Sequence, residues 1–291
     1  TKNHGWGELA AALIAEGFSL EEMSEDSSAG VPDTPIPLES LTLSEYELIV
    51  FGSNNAPYTS AQVNALTSYV NGGGAALFIS DANFGSDWTD APNSDQHFLT
   101  PFGIVMNQDS GTYTLFRNSG DYLVPAHPIL NGVDSFDGEG VSPGTVNAGI
   151  ATLSGVTRTI LSKAKGNVRR NTPPFTGQNQ GSTSANTVND GTLIVAEYGS
   201  GRIAVHFDRN TFFNLNGAGT NINRFDNEAY ARNLFNWLAG EPAFNPSTDN
   251  YAPRAHFPDF PPGQSIAGNA PVDVRVIAKD PDGTIASVEL F

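Results

Sequence analysis

Three short stretches carry the side-chain types that do chemistry. "FISDANFG" places Ser80 and Asp81 directly after an apolar run, and "RIAVHFDRN" places His206 and Asp208 two residues apart at the end of another. His4 stands near the start, Ser53 and Asn54 follow the run ending at Phe51, and Asn210 and Asn214 follow Asp208. For a hydrolase acting on a carbohydrate or ester, His206 is the general base, Asp208 orients it, and Asp81 or Ser80 stands across the cleft. His4, Asp81, His206 and Asp208 are also metal-ligand types, but no compact spacing such as H-E-x-x-H is present, so no metal site is assigned. For a carbohydrate or other small ligand, His4, Asn54, Asp81, His206, Asp208 and Asn214 supply hydrogen bonds. Trp6, Trp88 or Phe213 would then stack on a ring. A plain structural role competes with all of these: Asp208 capping a turn, His206 hydrogen-bonded near the sheet edge, Asp81 holding its own loop. "FISDANFG" has no glycine before Ser80, which weighs against a serine nucleophile on a tight elbow.

These residues share a position because of the elements that precede them. "LIVF" (48–51) is an apolar run bounded by Gly52 and reads as a strand buried on both faces. "TSAQVNALTSYVNGGG" reads as a helix capped by Thr59 or Ser60, with Val63, Leu66, Tyr69 and Val70 as its buried stripe and Gly72 to Gly74 as its stop. "AALFIS" is the next strand. Strand, helix and strand make a βαβ unit, hence a parallel sheet with helices on both faces. In such a sheet, ligands bind beyond the carboxyl ends of the strands, where the polar residues above fall. Upstream, "GWGELAAALIAEGFSL" is a helix with Trp6, Leu9, Ala10 and Leu13 on one face and Glu8 opposite, and Phe18 to Leu20 reads as a short strand. "HFLTPFGIVMN" reads as a short helix and a strand. Leu193 to Tyr198 and Arg202 to Phe207, joined by Gly199-Ser200-Gly201, read as a hairpin. "FDNEAYARNLFNWLAG" is a helix capped by Asp226 or Asn227, striped by Tyr230, Leu234, Trp237 and Leu238, and stopped at Gly240.

Composition narrows the function classes. The 39% hydrophobic content supports a buried core, and the net charge of −17 repels nucleic acid and anionic membranes, so neither is expected as a partner. Lys2, Lys163, Lys165 and Lys279 are the only lysines, a balance suited to a salty, marine or halophilic source. With no cysteine, disulfides, thiolate metal sites and a cysteine nucleophile are excluded. Asp87, Asp90 and Asp95 offer oxygen ligands of the kind Ca²⁺ takes, but a solvated acidic loop is the preferred reading, and no cofactor is expected. Residues 166–192 are poor in apolar side chains and read as a long exposed loop. Lys163, Lys165, Arg169 and Arg170 at its base suggest a solvated loop base in preference to an anion-binding lid.

The domain plan follows. Residues 1–241 form the α/β domain, with a first strand expected upstream of Thr1. Residues 242–265 form a proline-rich linker. Residues 266–291 alternate in hydropathy around the turn Asp280-Pro281-Asp282-Gly283 and read as the first strands of a β module that continues past Phe291.

Three segments together carry a resemblance. "NHGWGELAAALIAEGF", "YELIVFGSNNAPYTSAQVNALTSYVNGGGAALFIS" and "YGSGRIAVHFDRNTFFN" with "DNEAYARNLFNWLAG" resemble class I glutamine amidotransferase-like domains, in particular their ThuA-like, non-catalytic branch. The resemblance spans roughly residues 3 to 240. It implies a flavodoxin-like three-layer α/β sandwich with a mainly parallel sheet. It also implies that a catalytic cysteine would occupy the region of Ser80, Asp81 and Ala82. None is present, so glutamine hydrolysis by that route is excluded. The tail is similar to the opening strands of bacterial immunoglobulin-like modules, which implies a larger secreted or cell-surface bacterial protein associated with carbohydrate. The expectation is a non-catalytic accessory or ligand-binding module, whose partners are a carbohydrate or small molecule and the other domains of its parent chain.

Overall fold

The computed structural model describes residues 5–24, 34–52, 56–79, 91–106, 112–139, 144–163, 191–214, 220–241, 254–256, 277–279 and 285–288. The central sheet has five strands: β1 (Leu48–Gly52), β2 (Ala75–Ile79), β7 (Thr157–Ser162), β8 (Leu193–Tyr198) and β9 (Gly201–His206), in the order β1-β2-β9-β8-β7. β1, β2 and β9 run parallel, with Leu48 opposite Ala75 and Ala75 opposite Arg202. β8 and β7 are added antiparallel. The sheet is therefore mixed, because β8 runs against its neighbours and the β8–β9 hairpin turns the chain back into the parallel direction of β9. Gly199 makes that hairpin tight: its φ is +59°, a region open to glycine at no steric cost.

Helices cover both faces, and the period-two alternation of the strands sorts the core between them. Ala75, Leu77 and Ile79 of β2 pack with Leu193, Val195 and Ala204 under α1 (Gly7–Ala15) and α4 (Asn227–Ala239). Ala76 and Phe78 pack with Ile194, Ile203 and Val205 under α2 (Ser60–Asn71) and α3 (Ala91–Leu99). α2 crosses from β1 to its parallel neighbour β2, completing the βαβ unit. Its N-terminus is closed by a capping box: Thr59 Oγ1 accepts from the Gln62 amide, and Gln62 Oε1 accepts from the Thr59 amide at 2.8 Å. Gly240 ends α4 in the left-handed conformation, φ +83°. Three short two-stranded sheets complete the described structure. They pair β3 (Ile104–Met106) with β6 (Gly144–Val146), β4 (Thr112–Phe116) with β5 (Ser135–Glu139), and β10 (Arg254–His256) with β11 (Ile277–Lys279).

Several sequence expectations need correction. β1 is an edge strand instead of one buried on both faces. Phe51 is buried, but Leu48 and Ile49 are half-covered and Val50 is 36% exposed. Phe18 to Leu20 forms no strand. Glu8, placed by periodicity on the outer face of α1, is buried, and Asn223, distant in the sequence but adjacent in the fold, donates to its carboxylate. Asp226 holds the N-cap position of α4 but makes no side-chain capping bond there; its carboxylate accepts instead from the backbone amides of Asp134 and Ser135 at 2.8 and 3.0 Å. Arg254–His256, inside the segment read as a linker, pairs antiparallel with Ile277–Lys279. Of the expected β module only residues 277–279 and 285–288 are described, and residues 285–288, read as the start of its next strand, form none. Among the described residues, no helix is long and apolar enough to cross a membrane.

Candidate functional site

The parallel register brings the carboxyl ends of three strands into one row: Gly52 of β1 faces Ile79 of β2, and Ile79 faces His206 of β9. The sequence argument required these runs to end side by side, and they do. His4, Ser53, Asn54, Ser80, Asp81, Asp87, Trp88 and Asp90 lie outside the described residues, as do Lys165, Arg169 and Arg170. The row is therefore seen through His206, Asp208, Asn210, Asn214, Trp6 and Phe213.

His206 is fully buried under α4. Its Nδ1 lies 2.8 Å from the Tyr230 hydroxyl, and its Nε2 lies 2.9 Å from Thr211 Oγ1. The Thr211 hydroxyl donates to the Asp137 carbonyl at 2.7 Å, so its oxygen has only lone pairs to offer the imidazole. The histidine proton therefore sits on Nε2, donated to Thr211, and Nδ1 accepts from Tyr230. Burial drives the Tyr230 phenol well above its ordinary value of 10.0 and keeps it a donor. The same desolvation pushes His206 down from 6.5 to about 3, against a smaller upward pull from the Asp208 backbone. The ring is a neutral link between α4 and the turn Arg209–Phe212, packed among Phe136, Phe207, Phe212 and Tyr230.

Both imidazole nitrogens are thus engaged by groups other than the Asp208 carboxylate. Asp208 is itself fully buried, and its side chain lies against the backbone of Gly138, where any Cβ would come within 2.6 Å of Oδ2. The spacing of two suggested a shared direction, but β9 ends at His206, and period two holds only while the strand continues. Asn214 does local work: its Oδ1 accepts from the Glu8 amide at 2.8 Å in the first turn of α1, and its own amide donates to the Gly5 carbonyl at 2.9 Å. The Asn210 carbonyl accepts from the Phe213 amide. Of the row's two described aromatics, Trp6 is half-buried and Phe213 is buried. Trp6 sets the end of its indole against Gly52, whose missing Cβ leaves room for it, and meets Phe212 edge-on at 6.3 Å.

Sequence reasoning missed a second polar cluster next to this one. Asp137 of β5 is buried, paired with Arg224, and accepts from Asn227 Nδ2 at 2.9 Å. Burial raises its carboxyl from 3.8 to about 6, with Arg224 and Asn227 pulling the other way. Nearby, Arg232 is almost completely buried between Glu228, at 2.9 Å, and Glu16, at 2.6 Å, tying α4 to the end of α1. No local signal marked these groups: Asp137 lies on β5, and Glu228 and Arg232 fall outside the apolar stripe of α4. Among the described residues, no group of three or more histidines, aspartates or glutamates is arranged to hold a metal. Asp95, one of the three aspartates weighed as Ca²⁺ ligands, is buried in α3.

No protein-family model matches the sequence, and no curated protein is similar to it in sequence. Solved structures are similar in fold. The N-terminal domain of mmIFT52 superposes with a TM-score of 0.54 at 14% identity, over 82% of this chain and 92% of that one. A ThuA-like protein from Parabacteroides merdae ATCC 43184 gives 0.45 at 14% identity, over 84% of this chain and 88% of that one. A ThuA-like protein from Bacteroides uniformis ATCC 8492 gives 0.43 at 13%, over 82% and 86%. At such identities the likeness concerns architecture and not chemistry. The chain is similar to these proteins as an α/β fold with a five-stranded mixed sheet flanked by helices.

Proposed function

We propose that this chain is a non-catalytic accessory module that acts by binding, within a larger secreted bacterial protein associated with carbohydrate. One observation carries the reading: the histidine best placed to be a base is sealed in the core, neutral, with both nitrogens engaged. A general base must reach the proton it removes, and a ring in this setting reaches none on a substrate. The absence of cysteine removes the nucleophile that the amidotransferase resemblance would require. The carbohydrate ligand and the secreted setting rest on that resemblance and on the similarity of the tail to immunoglobulin-like modules.

The test has two arms. Chromogenic esters and glycosides are offered to the purified chain, and a glycan array followed by calorimetry covers marine and plant polysaccharides. Saccharide binding without turnover is expected. Turnover that disappears in both His206→Gln and Asp208→Asn would establish a hydrolase and end the binding-module reading. Silence on every glycan would leave a scaffold role alone.

A further inference from the structure

The run Leu48 to Phe51 has the composition of a strand covered on both faces, yet β1 stands at the edge of the sheet with neighbour β2 on one side. Among the described residues, no strand pairs with its other side. A groove of about 470 Å³ runs beside it, lined by all of β1, by residues 18–24 and by the segment from Ile36 to Tyr46. Its apolar wall is left open to water: Leu20 is 47% exposed, Met23 42% and Val50 36%. Edge strands with apolar, uncovered faces are pairing templates that folded proteins normally protect with lysine, proline or a bulge. β1 carries none of these, and it pairs with β2 in unbroken register.

The rim identifies the occupant. Glu21, Glu22 and Glu47 line the groove, and no lysine or arginine stands among its lining residues. Tyr46 donates to Glu21 at 2.8 Å and holds that carboxylate on the rim. A second copy would set the same acidic rim against itself on a chain of net charge −17, so self-pairing is disfavoured.

We propose that the open edge of β1 and its groove take an extended apolar segment bearing lysine or arginine, contributed by a partner protein and added as a sixth strand. Backbone hydrogen bonds to β1 supply the docking, alternate apolar side chains fill the groove over Leu20, Met23 and Val50, and the basic side chains meet Glu22 and Glu47. This surface meets the strand-end row only at Gly52, and its proposed contacts use neither His206 nor Asp208, so the proposal stands whether or not that row binds a saccharide.

The experiment titrates the full 291-residue chain with three nine-residue probes by calorimetry. One alternates valine and lysine, one alternates valine and glutamate, and one is the lysine probe with its central valines replaced by proline. The lysine probe is expected to bind at least about tenfold more tightly than either control, and more weakly at high salt. Hydrogen exchange should slow across residues 48–52 on binding. Val50→Lys and the pair Glu22→Lys/Glu47→Lys, all at exposed positions, should each weaken binding about tenfold while leaving the melting temperature in place. Equal binding of the proline probe, or binding without protection at β1, would mean non-specific attraction to an acidic protein and would overturn the proposal. So would concentration-dependent dimerisation abolished by Val50→Lys, which would assign the edge to a second copy. No binding of the lysine probe would refute it outright.

Discussion

The state of His206 makes a quantitative prediction about stability and pH. Folding takes this ring from an ordinary value of 6.5 down to about 3, so below 6.5 the unfolded chain accepts a proton that the folded chain refuses. The stability tied to this group is present above the unfolded value and is lost as the pH falls toward the folded one. At about 1.4 kcal/mol per pH unit, acidification from about pH 7 to about pH 5 removes about 2 kcal/mol through His206 alone. His206→Gln keeps a donor and an acceptor at the site but cannot titrate. Its own cost, from imperfect packing and altered hydrogen bonds, does not depend on pH. The wild-type minus variant difference in unfolding free energy should therefore shrink by about 2 kcal/mol over that interval, as read from urea melts at a series of pH values. Every other titrating group cancels in the difference. Parallel pH profiles for the two proteins, or an imidazole that titrates near 6.5 by NMR, would refute the reasoning. Either result would mean that the ring meets solvent, and would reopen its candidacy as a base.

Asp137 should behave with the opposite sign. Its folded value of about 6 lies above the ordinary 3.8, so its contribution is present below 3.8 and lost as the pH rises through 6. Against Asp137→Asn, wild type should gain up to about 3 kcal/mol on acidification across that window, measured by the same melts; a loss would show that pairing with Arg224 outweighs burial. Arg232→Met leaves the Glu16 and Glu228 carboxylates buried without their cation. That should cost about 3–5 kcal/mol and lower the calorimetric melting temperature by about 6–20 °C, with part of the loss recovered in Arg232→Met/Glu228→Gln.

The periodic parts of the fold were legible in the sequence. α2 announced itself through Thr59, its stripe and its three terminal glycines; the β8–β9 hairpin through its Gly-Ser-Gly turn; and α4 through Tyr230, Leu234 and Gly240. The parallel pairing of β1 and β2 followed from the βαβ rule, whereas the place of β9 beside β2 did not. What failed was long-range. Nothing local places Glu8 beside Asn223, or Asp226 under the amides of Asp134 and Ser135, because these partners lie about a hundred or more residues apart in the chain. The edge position of β1 was misread for a related reason: an apolar run records what a strand is suited to touch, not how many neighbours it has. At the site, residue types singled out His206 as a candidate, but its state is decided by Tyr230 and Thr211, which no spacing rule connects to it.

The scarce cations explain how an acidic surface and a polar interior coexist. Five arginines are spent inside or against the fold. Arg117 donates to the carbonyls of Pro125, Leu130 and Val133, Arg158 to Phe102, and Arg202 to Trp237 over whose ring it also lies. Arg224 and Arg232 pair with buried carboxylates. Such guanidinium groups brace loop carbonyls and helix ends, where several donors in one plane are of use. Of these, only Arg117 also reaches an exposed carboxylate among the described residues, Asp134 at 3.7 Å, and with four lysines in a chain of net charge −17 the outer charge stays strongly negative. That field opposes self-association and raises the local concentration of positively charged segments. The rim beside β1 inherits this consequence: Glu22 and Glu47 stand where an edge strand would ordinarily carry a lysine guard. The same economy of cations that holds the core together therefore leaves the sheet edge selective for a basic strand.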